Sequence, residues 1–314
     1  MRRFVKRVIL FAAILTGIVG GIGGLEIACE IRAYREALRA PTTADTVVCS
    51  ASKSEKGLNP ARWPGLFNFC ASGRPLDQVY LVSKDLFAAN PGRFRHYILE
   101  LSPESVRDDT NVPVDRMGFA AQYYLLYLLH WSERVRPLDG IVKVCRDNLV
   151  GRRLREFSKA VRGRKKFRGA LGTVGFTPSA RCGALTDPVW FQARVQRMRL
   201  ECDRGLDTFG PGSTALAFSD RIIDLARTNG AEVVIFSSPM HRDLIKACGP
   251  DRIRRFSKAV AAYAEEKGCR YLDLSELDLP DDCWVDGNHV NSKGAETLTA
   301  HVRDFVTKAS GTGP

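Results

Sequence analysis

At 314 residues the chain can bury one large core or two small ones. Its 45% hydrophobic and 26% charged residues exclude a disordered chain. A net charge of +12 favours anionic contacts (nucleic acid, anionic lipid head groups or acidic polymers) without choosing among them.

The first seven residues, MRRFVKR, are basic, and the 18 residues from Val8 to Leu25 carry no charge. That length is at the short end of a bilayer span. Five glycines between Gly17 and Gly24 suit a membrane helix better than a soluble one. The helix-like EIACEIRAYREAL continues where a cleaved signal peptide would end in a small-residue site. Glu26, three before Cys29, argues against a lipoprotein site. Residues 1–40 are therefore expected to form a cytoplasmic basic tip, one transmembrane helix and a charged stalk. The rest should lie outside, as a single-pass protein facing the bacterial periplasm.

Beyond the stalk, strand and helix patterns alternate. TVVCS, LFNFCAS, RHYILELS, AEVVIFSSP and CRYLDLS read as short apolar strands. RPLDQVYLVSKDLFAAN, MGFAAQYYLLYLLHWSERV, FSDRIIDLARTNG, IRRFSKAVAAYAEEKG and the stretch from Asn291 to Lys308 read as helices, with Gly230 and Gly268 as C-terminal caps. This order predicts an α/β domain over residues 41–309, a three-layer α/β/α sandwich around a parallel sheet. Ligands in such folds sit beyond the carboxyl ends of the strands. Ten Arg or Lys between Arg146 and Arg168 mark a basic helical insertion at about 146–170. It reads as a solvated face, or as a contact for anionic lipid or an acidic polymer. Without interleaved aromatic residues, nucleic acid is not expected. Residues 310–314 read as a disordered tail.

The nine cysteines include no CxxC pair, so a zinc site has little support; no cofactor is expected. Cys49 and Cys70 read as free and buried, and Cys182 with Cys202 as a possible disulfide. Three serines, Ser50, Ser52 and Ser54, crowd the end of the first strand, at the ligand edge of the sheet. A nucleophilic serine needs a base within reach and a third group to orient that base. Of the five histidines, His289 stands out, because Asp286 precedes it by three residues just before the last helix. In a turn, that spacing can set the carboxylate against one imidazole nitrogen while the other faces outward.

The order of these motifs resembles the SGNH/GDSL hydrolase superfamily. Its flavodoxin-like fold has a serine after the first strand, a glycine after the second and Asp-x-x-His before the last helix. SASKSEKGLNP from Ser50 to Pro60, Asn68 with Ser72 and Gly73, FSSPMH, and Asp286-x-x-His289 look like the membrane-anchored branch associated with cell-surface polysaccharide acylation. The resemblance implies Ser52 as nucleophile, His289 as base and Asp286 as its partner. It implies an oxyanion hole from the backbone of Ser52 and Gly73, with Asn68 as a substitute side-chain donor. It also implies substrate contacts at Ser50, Ser72 and His241. Ser50 stands where the family has glycine, Ala51 where it has Asp or Ser, and the G-x-N-D block is replaced by LELSPES. The implied activity is ester hydrolysis or O-acyl transfer on a cell-envelope or extracellular glycan. The alternative is an inactive scaffold or carbohydrate-binding component of a polysaccharide assembly.

Overall fold

The five expected strands form, and each is short: β1 (Thr46–Val48), β2 (Leu66–Asn68), β3 (His96–Glu100), β4 (Glu232–Ser237) and β5 (Arg270–Asp273). In the computed structural model, which describes residues 28, 31–106, 124–133 and 175–308, they pair in one parallel sheet of order β2-β1-β3-β4-β5. Register places Val47 beside Tyr97, Ile98 beside Val234 and Ile235 beside Tyr271.

Because strand side chains alternate, each strand feeds two cores. Val47, Tyr97, Leu99, Val233 and Ile235 face one side. There they meet α2 (Leu76–Ala89), α4 (Thr214–Thr228) and α6 (Pro250–Glu266) through Val79, Val82, Leu86, Ile222, Phe256 and Val260. Val48, Ile98, Val234 and Phe236 face the other. There they meet α3 (Pro188–Thr208), α5 (Arg242–Cys248) and α7 (Ser292–Lys308) through Phe191, Val195, Met198, Leu244, Leu298 and Val302. Each fully buried aliphatic or aromatic side chain contributes roughly 1.5–3 kcal/mol of transfer free energy. Helices therefore flank both faces of the sheet. Gly230 (φ +79°) and Gly268 (φ +58°) follow α4 and α6, where left-handed backbone suits a residue without Cβ.

The sequence reading omitted α3. Its signals are local: Asp187 accepts a hydrogen bond from the Trp190 N–H (3.1 Å), Pro188 occupies the first turn, and Phe191, Val195, Met198 and Cys202 recur at helical spacing. The expected stalk differs too. Residues 31–37 are helical, but Tyr34 and Leu38 are buried in the core, and the Tyr34 hydroxyl donates to Asp85 Oδ2 (2.8 Å). Its apolar residues are buried in the core, with the Tyr34 ring 6.3 Å from that of Phe69, instead of standing off the domain.

Of the long apolar helix expected around Met117–Val135, the described part is helical over Tyr124–Leu129. The transmembrane segment expected at Val8–Leu25, the basic insertion expected at 146–170 and the expected tail at 310–314 lie outside the described residues. Among the described residues no helix is long and apolar enough to cross a membrane.

Candidate active site

Glu100 separates the three serines. It ends β3, the central strand, and is 1% exposed. Its Oε2 accepts hydrogen bonds from the Ser50 hydroxyl (3.3 Å), the Ser54 hydroxyl and the Ser54 backbone N–H (3.2 Å). Its Oε1 accepts from the Ser102 hydroxyl (2.7 Å). Ser50 and Ser54 are thus buried and committed to one carboxylate. Ser52, the first residue of α1 (Ser52–Gly57), points the other way, and its Oγ lies 2.7 Å from His289 Nε2.

His289 sits in a tight loop before α7. The bridge between Trp284 and Val290 closes that loop, and the Val285 N–H donates to the His289 carbonyl (2.8 Å). Trp284 is fully buried and anchors the loop, donating its indole N–H to the Leu279 carbonyl (3.2 Å). Asp286 Oδ1 lies 2.8 Å from His289 Nδ1 and also accepts the backbone N–H groups of His289 (3.0 Å) and Asn288 (3.3 Å). Arg194 of α3 donates to Asp286 Oδ2 (3.3 Å). Burial raises the Asp286 pKa, but the His289 hydrogen bond and charge, the Asn288 N–H and Arg194 outweigh it, and the net shift is downward. An ionised Asp286 can only accept. Nδ1 therefore carries the proton in the neutral ring, and Nε2 accepts the Ser52 O–H.

Ser52 and His289 open onto a cavity of about 100 Å³, which Gly73 also lines. Gly73 holds φ +73°, a conformation that turns its backbone at the end of the β2 loop. The Ser52 N–H stands in the first turn of α1, where no helical acceptor exists. Among the described residues no protein acceptor takes the N–H of Ser52 or of Gly73.

Five expectations require correction. Asn68 is no oxyanion donor: its amide donates to the Ser54 (2.9 Å) and Leu58 (2.7 Å) carbonyls, and its Oδ1 accepts the Cys70 N–H (3.1 Å). Both amide hydrogens tie β2 to α1, so none is left for a ligand. Ser50 is held by Glu100 beneath the site, and Ser72 donates to Glu55 Oε2 (2.5 Å); neither lines the cavity. His241 is buried behind the loop. Its Nδ1 accepts the Asp243 N–H (3.2 Å), its Nε2 faces Asp281 Oδ1 (3.1 Å), and its backbone N–H donates to the Gly287 carbonyl (2.9 Å). It braces the loop and is absent from the cavity wall. Cys182 and Cys202 are both free, as are the buried Cys49 and Cys70.

Sequence reasoning also passed over Lys53, Glu104, Arg194 and Asn288, all of which line the cavity. Lys53 and Asn288 are the immediate neighbours of Ser52 and His289, and Glu104 lies where the expected G-x-N-D block is missing. Those positions were the available signal. Among the described residues no cluster of three or more His, Cys, Asp or Glu side chains is placed to hold a metal ion.

No family model matches the chain, and no curated relative does. Among solved structures the chain is similar to a protein of Bacteroides fragilis NCTC 9343 provisionally described as an acylhydrolase. The TM-score is 0.41 and the identity 9%, over 86% of this chain and 90% of that one.

Proposed function

We propose that the protein is an SGNH-type serine ester hydrolase or O-acyltransferase working through Ser52, His289 and Asp286. The observation that carries this reading is the continuous line from Ser52 Oγ to His289 Nε2 (2.7 Å) and from Nδ1 to Asp286 (2.8 Å) at a cavity wall. Ser52 Oγ attacks the ester carbonyl as its proton passes to Nε2. Asp286 holds the ring and stabilises the imidazolium. The backbone N–H groups of Ser52 and Gly73 would receive the oxyanion. Collapse expels the alkoxide, which takes the proton from Nε2 and leaves an acyl-Ser52. Water or a sugar hydroxyl, deprotonated by His289 Nε2, then attacks the acyl carbon, and as the acyl–Oγ bond breaks Nε2 returns that proton to Ser52 Oγ.

The family resemblance suggests acetyl as the acyl group. The charge-free run from Val8 to Leu25 and the basic segment at 146–168 support an anchored protein facing a cell-envelope glycan. A topology reporter fused at the C-terminus is expected to signal outside the cytoplasm; a cytoplasmic signal removes that placement.

The catalytic reading is tested with a fluorophosphonate probe on the full-length protein. Wild type is expected to label stoichiometrically and Ser52→Ala not at all. Folded wild type that resists the probe would instead favour the scaffold reading, which the engagement of Asn68 elsewhere supports.

A further inference from the structure

We propose that Glu104 is a positioning residue for the Ser52–His289 couple, setting the spacing between the segment that carries the nucleophile and the loop that carries the base. The inference rests on the catalytic reading above. Ser52 and His289 are 237 residues apart in the chain, and they meet through one 2.7 Å hydrogen bond. Glu104 grips the next residue on each side. Its Oε2 lies 2.7 Å from Lys53 Nζ, and its Oε1 accepts a hydrogen bond from Asn288 Nδ2 (2.9 Å). The Cys202 thiol of α3 donates to the same Oε1 (3.0 Å). One carboxylate thus ties together α1, the segment after β3, the loop before α7 and helix α3.

Stability alone does not account for this arrangement. The Lys53 and Glu104 side chains are 5% and 11% exposed, so both charges have lost most of their hydration. A buried ion pair commonly does no better than an apolar pair of the same shape, and its best-attested use is to fix register. Glu104 is suited to that use because it stays ionised. Burial pushes its pKa up, but the Lys53 ammonium and the Cys202 and Asn288 hydrogen bonds bring it down to about 2. At neutral pH it accepts only. That dictates the Asn288 amide orientation, with NH₂ toward Glu104, and holds His289 from its own backbone neighbour. Lys53 does the same for Ser52. A displacement of about 1 Å at reacting groups can cost about 100-fold in rate, which gives such a clamp its value.

The test compares wild type, Glu104→Gln and the double variant Lys53→Met/Glu104→Gln, using 4-nitrophenyl acetate turnover, the rate of fluorophosphonate labelling and thermal melting. Glu104→Gln takes the nearer of two counter-charges from the buried Lys53, leaving Glu100, and is expected to melt earlier. The double variant removes both charges and is expected to melt near wild type. Both are expected to lose about 10- to 100-fold in kcat and in labelling rate, with KM changed less than twofold. A double variant that folds and runs at the wild-type rate overturns the inference while leaving the catalytic reading intact. So does a loss confined to KM. A wild type that neither labels nor turns over overturns both.

Discussion

Ester turnover is expected to fall by about five powers of ten, or to the solvent background, when Ser52 is replaced by alanine. His289→Ala should lose nearly as much, and the double variant no more than either single one. The reason is that the two residues act as a unit. With Ser52 gone, His289 has no nucleophile to deprotonate; with His289 gone, the Ser52 hydroxyl keeps an ordinary, unactivated proton. Removing both removes the same step once, so the losses do not add. Steady-state and single-turnover kinetics on 4-nitrophenyl acetate check this. A Ser52→Ala protein keeping more than about 1% of wild-type turnover would point to another nucleophile. Ser50 and Ser54 are poor candidates, because Glu100 holds both hydroxyls in the interior.

Gly205→Ala is expected to cost at least about 3 kcal/mol of folding stability. Helix α3 crosses the segment after β3 so closely that a Cβ at Gly205 would lie 1.6 Å from the Pro103 carbonyl oxygen. A backbone oxygen cannot swing aside as a side-chain tip can. Either the helix lifts, or the segment carrying Glu104 gives way. Lifting α3 draws Phe191, Val195, Met198 and Cys202 off the sheet, where all four are buried. It also moves Arg194 from Asp286 and Cys202 from Glu104. Chemical denaturation should therefore show a lower midpoint, and the folded fraction should label more slowly. A variant with wild-type stability would mean that α3 does not pack against Pro103 in this way.

The alternation of short apolar strands with amphipathic helices was legible because it is a local, periodic signal. Val47 and Val48 face opposite cores wherever the strand sits, and Phe218, Ile222 and Val260 lie on helix faces set by spacing alone. The gap at α3 came from its charge: Arg194, Arg197, Arg199 and Arg204 surround a stripe of only four buried side chains besides Gly205, so the apolar period is diluted. Asp286 and His289 were readable as a pair because three residues in a turn already bring a carboxylate to an imidazole.

The amino-acid order by itself determined the element types, the parallel sheet and a short list of candidate side chains. Tertiary structure alone decided which of them share a site. Ser50, Ser54 and Asn68 suit the chemistry as well as Ser52 and His289 do by residue type. Their hydrogen-bonding atoms are instead taken by Glu100 and by the carbonyls of Ser54 and Leu58. A side chain's partners are set by which polar atoms compete for it within about 3 Å once the backbone is folded. Glu100 lies about 50 residues from the serines it holds, and Ser52 lies 237 residues from His289, separations over which no local period carries information.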